Sequence, residues 1–383
     1  MKRKIVIQAI SLMTLIGSFA FTQEWSFGGS VRYRNEAINK DFSDSTGFNY
    51  LNYQRTRLNV KYKKENATVF FQMQDSRVLG TETHTLTDGS ADALDMHQAY
   101  VQLSNSGPFA LKIGRYEIAY GSQRIIGPVG WHNIGRSFDG ITFTHKMTDG
   151  TIVDYFNLKL IEGYPIEEKE DINVRGLNAK FGEGIPFLRE GLFVQDKDRL
   201  TVLLTLTQKM NNLRFNGEVG YQSGKMDDQS LGGWMVSAKG FYKINSVTFH
   251  LGVDIVSGDD PSSMKNESFN TLFGTNHKFY GHMDYFLNVP VHSQGLGLVD
   301  TYFQATTSIV GLRLNTVVHH FKSQQTNREG KDTFGTEIDN NLSFPLFKTA
   351  IAVVGHSLFF PGELMAIDGK LAQWGYVMLT VSI

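Results

Sequence analysis

The sequence predicts an all-β chain: a transmembrane antiparallel β-barrel of about 18 strands, with 16 as the alternative count. Three observations carry this. Segments of about ten residues alternate apolar and polar side chains with period two. The connections between them alternate short and long. Beyond the N-terminus, no stretch approaches the run of about 18 apolar residues that a spanning helix needs.

The chain opens MKRKIVIQAISLMTLIGSFAFTQ. Lys2, Arg3 and Lys4 make a basic start, Ile5 to Gly17 an apolar core, and Ser18-Phe19-Ala20 a small-x-small cleavage site. Residues 1–23 therefore read as a secretory signal peptide rather than an anchoring helix, for which the apolar core is short. Without cysteine there is no lipid attachment, disulfide framework or cysteine-type zinc site. Residues 24–383 then form one domain, since no Pro- or Ser-rich linker divides them. The expected location is the outer membrane of a bacterial type of envelope, with the lipid bilayer as partner.

Taking the three cations of the signal from 37 Lys+Arg leaves 34 against 38 Asp+Glu, a mature charge of −4. That balance lacks the basic excess nucleic-acid binding needs. Proline is scarce at 8, while glycine numbers 38 and aromatics make 12%. No repeat of 20 to 50 residues suggests a propeller or solenoid.

The clearest alternation is VTFHLGVDIV: Val247, Phe249, Leu251, Val253 and Ile255 on one face; Thr248, His250, Gly252 and Asp254 on the other. RLTVLLTLT, LRFNGEVGYQ and the final YVMLTVSI repeat it. A soluble sandwich would bury the apolar face between sheets. A barrel turns it to lipid. Strand length, the loop alternation and the terminal strand favour the barrel. Short connections fall at 63–66, 104–108, 147–150, 208–212, 243–246 and 345–346. Long ones, expected to be extracellular, fall at 37–48, 77–93, 119–137, 161–171, 223–231, 257–294, 323–331 and 359–370. The pattern blurs at 182–198, which is why two strand counts stand.

With the apolar face outward, Arg32, Arg34, Arg55, Arg57, Lys61, Lys112, Lys159, Arg214, Lys239 and Arg313 point inward, against Glu218, Asp254, Glu337 and Asp339. A cationic lumen concentrates anions, and arginine offers a fork that matches a carboxylate. The competing reading is a structural lattice of paired charges. Simple alternation puts Arg115 on the lipid face beside Leu111 and Ile113, unless a bulge at Gly114 or a strand end near the headgroups intervenes.

LKIGRYEIAYGSQRIIGPVGWHNIGRSFDGITF, from Leu111, resembles the signature of the alginate export family of outer-membrane porins. Gly114, Arg115, Tyr120, Gly121, Arg124, Gly127, Trp131, Arg136, Phe138, Asp139 and Gly140 carry the likeness. A second block, DIVSGDDPSSMKNESFNTLFGTNHKFYGHMDYF, matches at Ser257, Gly258, Asp259, Leu272, Phe273, His277, Phe279, Gly281 and Asp284. The resemblance spans about residue 25 to 383 and is specific in these two blocks. It implies an 18-stranded barrel with loops folded inward over an electropositive constriction, and passage of a uronate-type saccharide or other anionic solute. By the same likeness Arg115, Arg124 and Arg136 are constriction candidates. Trp131 can pack the loop against the wall or offer a face to a sugar ring.

The leading reading is a passive, anion-preferring porin without catalytic activity, cofactor or metal. A barrel enzyme would need a nucleophile and base on one rim, for which Ser257, Asp259, His277 and His282 are the nearest set; no G-x-S-x-G elbow accompanies them. A structural or adhesin barrel would need no charged constriction. His132, His277 and His282 are weak metal signals, since a lone loop histidine is usually just solvated, and so is the His319-His320 pair, since neighbours on a strand face opposite sides.

Overall fold

A computed structural model describes residues 23–43, 45–80, 94–104, 107–162, 171–182, 185–226, 229–365 and 370–383. The expected signal peptide lies almost wholly outside the described residues. Among them are 19 strands. The first half holds β1 (Gln23–Asn39), β2 (Asn49–Lys64), β3 (Ala67–Val78), β4 (Leu94–Ser104), β5 (Phe109–Tyr116), β6 (Phe138–Lys146), β7 (Ile152–Ile161), β8 (Ile172–Lys180), β9 (Leu188–Asp196) and β10 (Arg199–Met210). The second holds β11 (Leu213–Met226), β12 (Gln229–Leu231), β13 (Trp234–Ile244), β14 (Val247–Val256), β15 (Leu298–Ile309), β16 (Leu312–Lys322), β17 (Thr333–Phe347), β18 (Ala350–Pro361) and β19 (Ala372–Ser382).

Every pairing is antiparallel between neighbours, and β19 pairs back to β1 from Ser382–Ser30 to Gln373–Asn39. The sheet is therefore closed and has no free edge, the condition for a sheet to cross lipid. β12 only lengthens the hairpin between β11 and β13, which pair directly from Leu213–Tyr242 to Tyr221–Trp234. The wall has 18 strands, the larger of the two expected counts. The region that blurred in the sequence contains β9, joined to β10 by residues 197–198 alone. A two-residue turn, with Lys197 at φ 49°, sits at the end where the other connections are long.

The alternation has the expected sense. Phe27, Leu251, Tyr221 and Val377 are exposed on the outer surface, while Gln222, next to Tyr221, and Asp254, on the other face of the strand of Leu251, are buried inside. An outward apolar band of this kind is stable only against lipid.

Two long connections, 117–137 and 257–297, fold back into the barrel. Ile118, Tyr120, Ile125, Ile126, Phe269 and Phe286 pack there against inward side chains such as Phe156, Leu158, Val174, Leu203, Phe321 and Phe334. The Tyr120 and Phe156 rings are 5.3 Å apart. This gives the lumen its own hydrophobic core, and it corrects one sequence assignment. On β7 the inward row is Asp154, Phe156 and Leu158, and its last two members are apolar because the loop covers them. Lys159 consequently faces outward, beside Asp139 across the β6–β7 pair, and bonds Glu162 and Asp171.

Candidate functional site

The two inward loops are tied to each other before they touch the wall. Ile126 and Phe273 form a short parallel bridge, with Gly127 N–H donating to Phe273 O and Phe273 N–H to Ile125 O, both 2.9 Å. Arg136 adds a guanidinium Nη1 to the carbonyls of Phe273 and Gly127. Burial lowers its pKa from the usual arginine value. Gly281 lets the second loop close on β17: at φ 80°, a Cβ there would stand 2.5 Å from the Glu337 carboxylate.

On one side of the lumen lie four arginines of β1 and β2. Arg32 stands directly opposite Arg55 in the pairing, with Arg57 and Arg34 on the flanking inward positions. Like charges so placed repel each other. The tip of the first loop holds them together. Gly130 O accepts from Arg32 Nη1 (2.9 Å) and Arg55 Nη1 (3.2 Å), and His132 O accepts from both arginines at 3.1 Å. Arg34 Nη1 donates to Trp131 O at 2.7 Å and its Nε pairs with Glu36 at 2.7 Å. Arg57 bonds Gln74 (2.7 Å), Glu117 (3.1 Å), His97 (2.9 Å) and Ile134 O (3.3 Å). The exposed His132 imidazole has its pKa lowered by partial burial and by Arg34 and Arg32.

Further round the lumen stand carboxylates, all buried: Glu218 on β11 and Asp254 on β14 toward the far side, Asp300 on β15, and Glu337 and Asp339 on β17, three strands from β1. The loops cover them. Arg124 is 3% exposed and pairs with Glu218 through Nε and Asp254 through Nη2, each at 2.7 Å. Its guanidinium also bonds Tyr280 and Ser237 and lies 4.0 Å from the Phe279 ring. Burial opposes the Arg124 charge, but Asp254, Tyr280 and Glu218 outweigh it and raise its pKa well above the usual value. Glu337 accepts from Met283 N–H (2.7 Å), Asp339 from His282 N–H (3.2 Å), and Asp300 pairs with His319 at 2.9 Å.

The structure thus gathers Arg32, Arg34, Arg55 and Arg57 on one wall, places Arg124 on the opposite one, and sets Arg136 between the loops. Trp131 lies among Arg34, His277, Trp374 and Tyr376. Arg214, which stacks 4.1 Å from Phe241, and Arg313 lie on inward rows near the short-turn ends of β11 and β16. Arg115 is not brought to them. The register of β5 runs without a bulge, Arg115 shares the outward row of Ile113, and it makes a bidentate pair with Asp139 at 2.8 and 2.7 Å.

The ten-against-four count of inward charge also changes. Lys159 leaves the lumen, and Glu36, Asp154, Glu190 and Asp300 join it. The signs are mixed along the wall: Glu36 stands beside Arg34, and Lys239 on β13 lies between the strands of Glu218 and Asp254. Glu36 was legible, two residues past Arg34 on the same row; Glu117 and Lys278, in loops, carried no periodic signal. Of the residues imagined as a catalytic set, Ser257 Oγ donates to Glu267 O (2.6 Å), Asp259 accepts from Glu267 N–H (3.0 Å), and His277 pairs with Asp284 at 2.6 Å.

The profile of the alginate export family matches residues 23–190. A search of curated proteins finds no match. Among solved structures the chain is similar to OccAB4 of Acinetobacter baumannii (12% identity, TM-score 0.66, covering 94% of this chain and 98% of that one). It is likewise similar to Pseudomonas aeruginosa OccK2 (OpdF) in complex with glucuronate (14%, 0.63, 94% and 96%) and P. aeruginosa OpdK with vanillate (12%, 0.60, 94% and 98%).

Proposed function

We propose, from the premise that this chain is an outer-membrane porin carrying the alginate export family's sequence over residues 23–190, that it passes anionic solutes by passive diffusion, uronate-type saccharides among them. The observation that carries the reading is the pairing of Arg32 with Arg55, two adjacent guanidiniums whose hydrogen bonds go to neutral carbonyls. The opposing carboxylates lie buried beneath the loops. In a narrow passage of low dielectric, uncompensated charge acts more strongly than in water.

In this reading Arg55 and Arg57, only partly buried, face the solute. Arg32 and Arg34 stand behind them, and Arg124 and Arg136 hold the loops. The complexes of similarly folded barrels with glucuronate and vanillate, both carboxylates, support the substrate class. Residues 1–23 act as the export signal, 24–383 as a single barrel, and the 117–137 and 257–297 loops enter from outside the cell. Swelling of proteoliposomes tests the reading: glucuronate should enter faster than the lysine cation, and the reverse order contradicts it.

A further inference from the structure

The outward apolar band is broken on one arc of the wall. Leu158, Val174 and Val194 belong to the lumen core, so their neighbours Asn157, Arg175 and Gln195 point outward, where all three are exposed. They stand side by side in the register, Asn157 opposite Arg175 and Arg175 opposite Gln195. The next outward row holds Arg115, Asp139, Lys159 and Asn173, again directly paired. We propose that this face, β5 to β9, is a two-fold interface covered by a second copy of the chain rather than by lipid tails. The inference goes beyond the transport reading and does not depend on it.

Depth carries the first part. Asn157 and Arg175 lie five residues from Ile152 and Lys180, which pair at the short-turn end of β7 and β8. Strands tilted about 40° climb roughly 2.5 Å per residue, so these side chains sit about 12 Å into an apolar band about 25 Å tall. On the far wall, Val219, Val236 and Ile255 lie still farther from the short turns and are apolar. Lipid therefore reaches above this level elsewhere. Among the described residues Arg175 has no carboxylate partner. An unpaired cation at mid-layer is destabilising against acyl chains.

The charge pattern selects the occupant. Arg115, Lys159 and Arg175 stand among Asp139, Glu162 and Asp171, with Asp95 3.9 Å from Arg115. An anionic headgroup would call for an excess of cations, and this patch has none. A two-fold axis sets the same patch against itself, so the cations of each copy meet carboxylates of the other. The side chains of Asp95, Asp139, Glu162 and Asp171 are 52–66% exposed, which leaves acceptor positions open. Within this charged frame is a groove of about 580 Å³, with Met96, Ala99, Ile113 and Ile141 in its lining, an apolar seat for side chains of the second copy.

The chain has no cysteine, so single introduced cysteines report position cleanly. In isolated outer membranes a short bismaleimide should join Asn157→Cys barrels into dimers and leave Val236→Cys barrels, altered on the far wall, as monomers. The wild-type barrel in mild detergent should have twice the mass of one chain by native mass spectrometry. Arg175→Leu/Asn157→Leu should raise the protein-to-detergent ratio at half dissociation about tenfold, as expected for loss of one hydrogen bond to a charged group. Heat-modifiable gel migration checks that each variant folds; if the double variant does not, the cross-link at position 157 decides. A monomeric wild type, no excess of cross-linking at 157 over 236, or a dimer that the double variant does not weaken overturns the interface. A monomer that the double variant makes more heat-resistant would show lipid on this face instead.

Discussion

The guanidinium of Arg34 lies 4.1 Å from the ring centre of Trp131, and its Nη1 donates to the backbone carbonyl of the same residue at 2.7 Å. One wall side chain thus grips both the ring and the backbone of the loop tip. The ring's other neighbours are His277, stacked at 4.6 Å, and Trp374 and Tyr376 edge-on. Trp131 is where the first loop, the second loop and the β1–β19 wall meet.

Trp131→Ala should therefore loosen the loop more than the barrel. The cation–π contact alone is worth about 0.5–2 kcal/mol. Single-channel recordings should show flicker between conductance levels, with the unfolded-to-folded gel shift retained. A quiet, unaltered trace would remove Trp131 from the loop's anchorage.

Arg124→Met leaves Glu218 and Asp254 facing each other's charge without their shared cation. Breaking a buried ion network by removing one member costs about 3–5 kcal/mol. Thermal unfolding followed by gel migration should fall markedly, and Arg124→Met/Glu218→Gln/Asp254→Asn should recover much of the loss. An undiminished single variant contradicts the anchoring role.

Acid should release the loop tip. His132 accepts a hydrogen bond at Nδ1 from Ile134 N–H (3.2 Å), which requires that nitrogen unprotonated. Its pKa is held below the ordinary 6.5 by burial and by Arg34 and Arg32. A depressed folded pKa means the docked tip binds fewer protons than the released one. Its stability is present above 6.5 and is lost as pH falls through the lowered value. Conductance noise should rise over that window and should not in His132→Gln.

Arg115→Ala should leave ion selectivity unchanged, because the side chain stands on the outer row against Asp139. A selectivity change comparable to that of a lumenal arginine would contradict the register of β5.

Much of the barrel was legible because lipid imposes one rule on every outward residue. Val247 to Val256 alternates cleanly for that reason, and so do the strands near it. The rule weakens where something other than water fills the lumen. Phe156 and Leu158 are apolar because Ile118 and Tyr120 lie on them, so the outward Lys159 read as inward. The short turn at Lys197–Asp198 blurred the loop alternation around β9, because its length is that of the opposite end, and so left 16 strands as an alternative to the 18 observed. The arginines of β1 and β2 could be placed from period two. Their partners could not, because Gly130, Trp131 and His132 contribute backbone carbonyls, which leave no mark on side-chain pattern.

The most direct test of the arginine wall is the reversal potential across a potassium chloride gradient, compared between the wild-type barrel and Arg55→Gln/Arg57→Gln. The account predicts an anion-selective wild type and a shift toward cation preference in the variant, largest near 0.01 M salt, where the screening length is about 30 Å. A cation-selective wild type, or a variant whose reversal potential does not move while conductance persists, would contradict it.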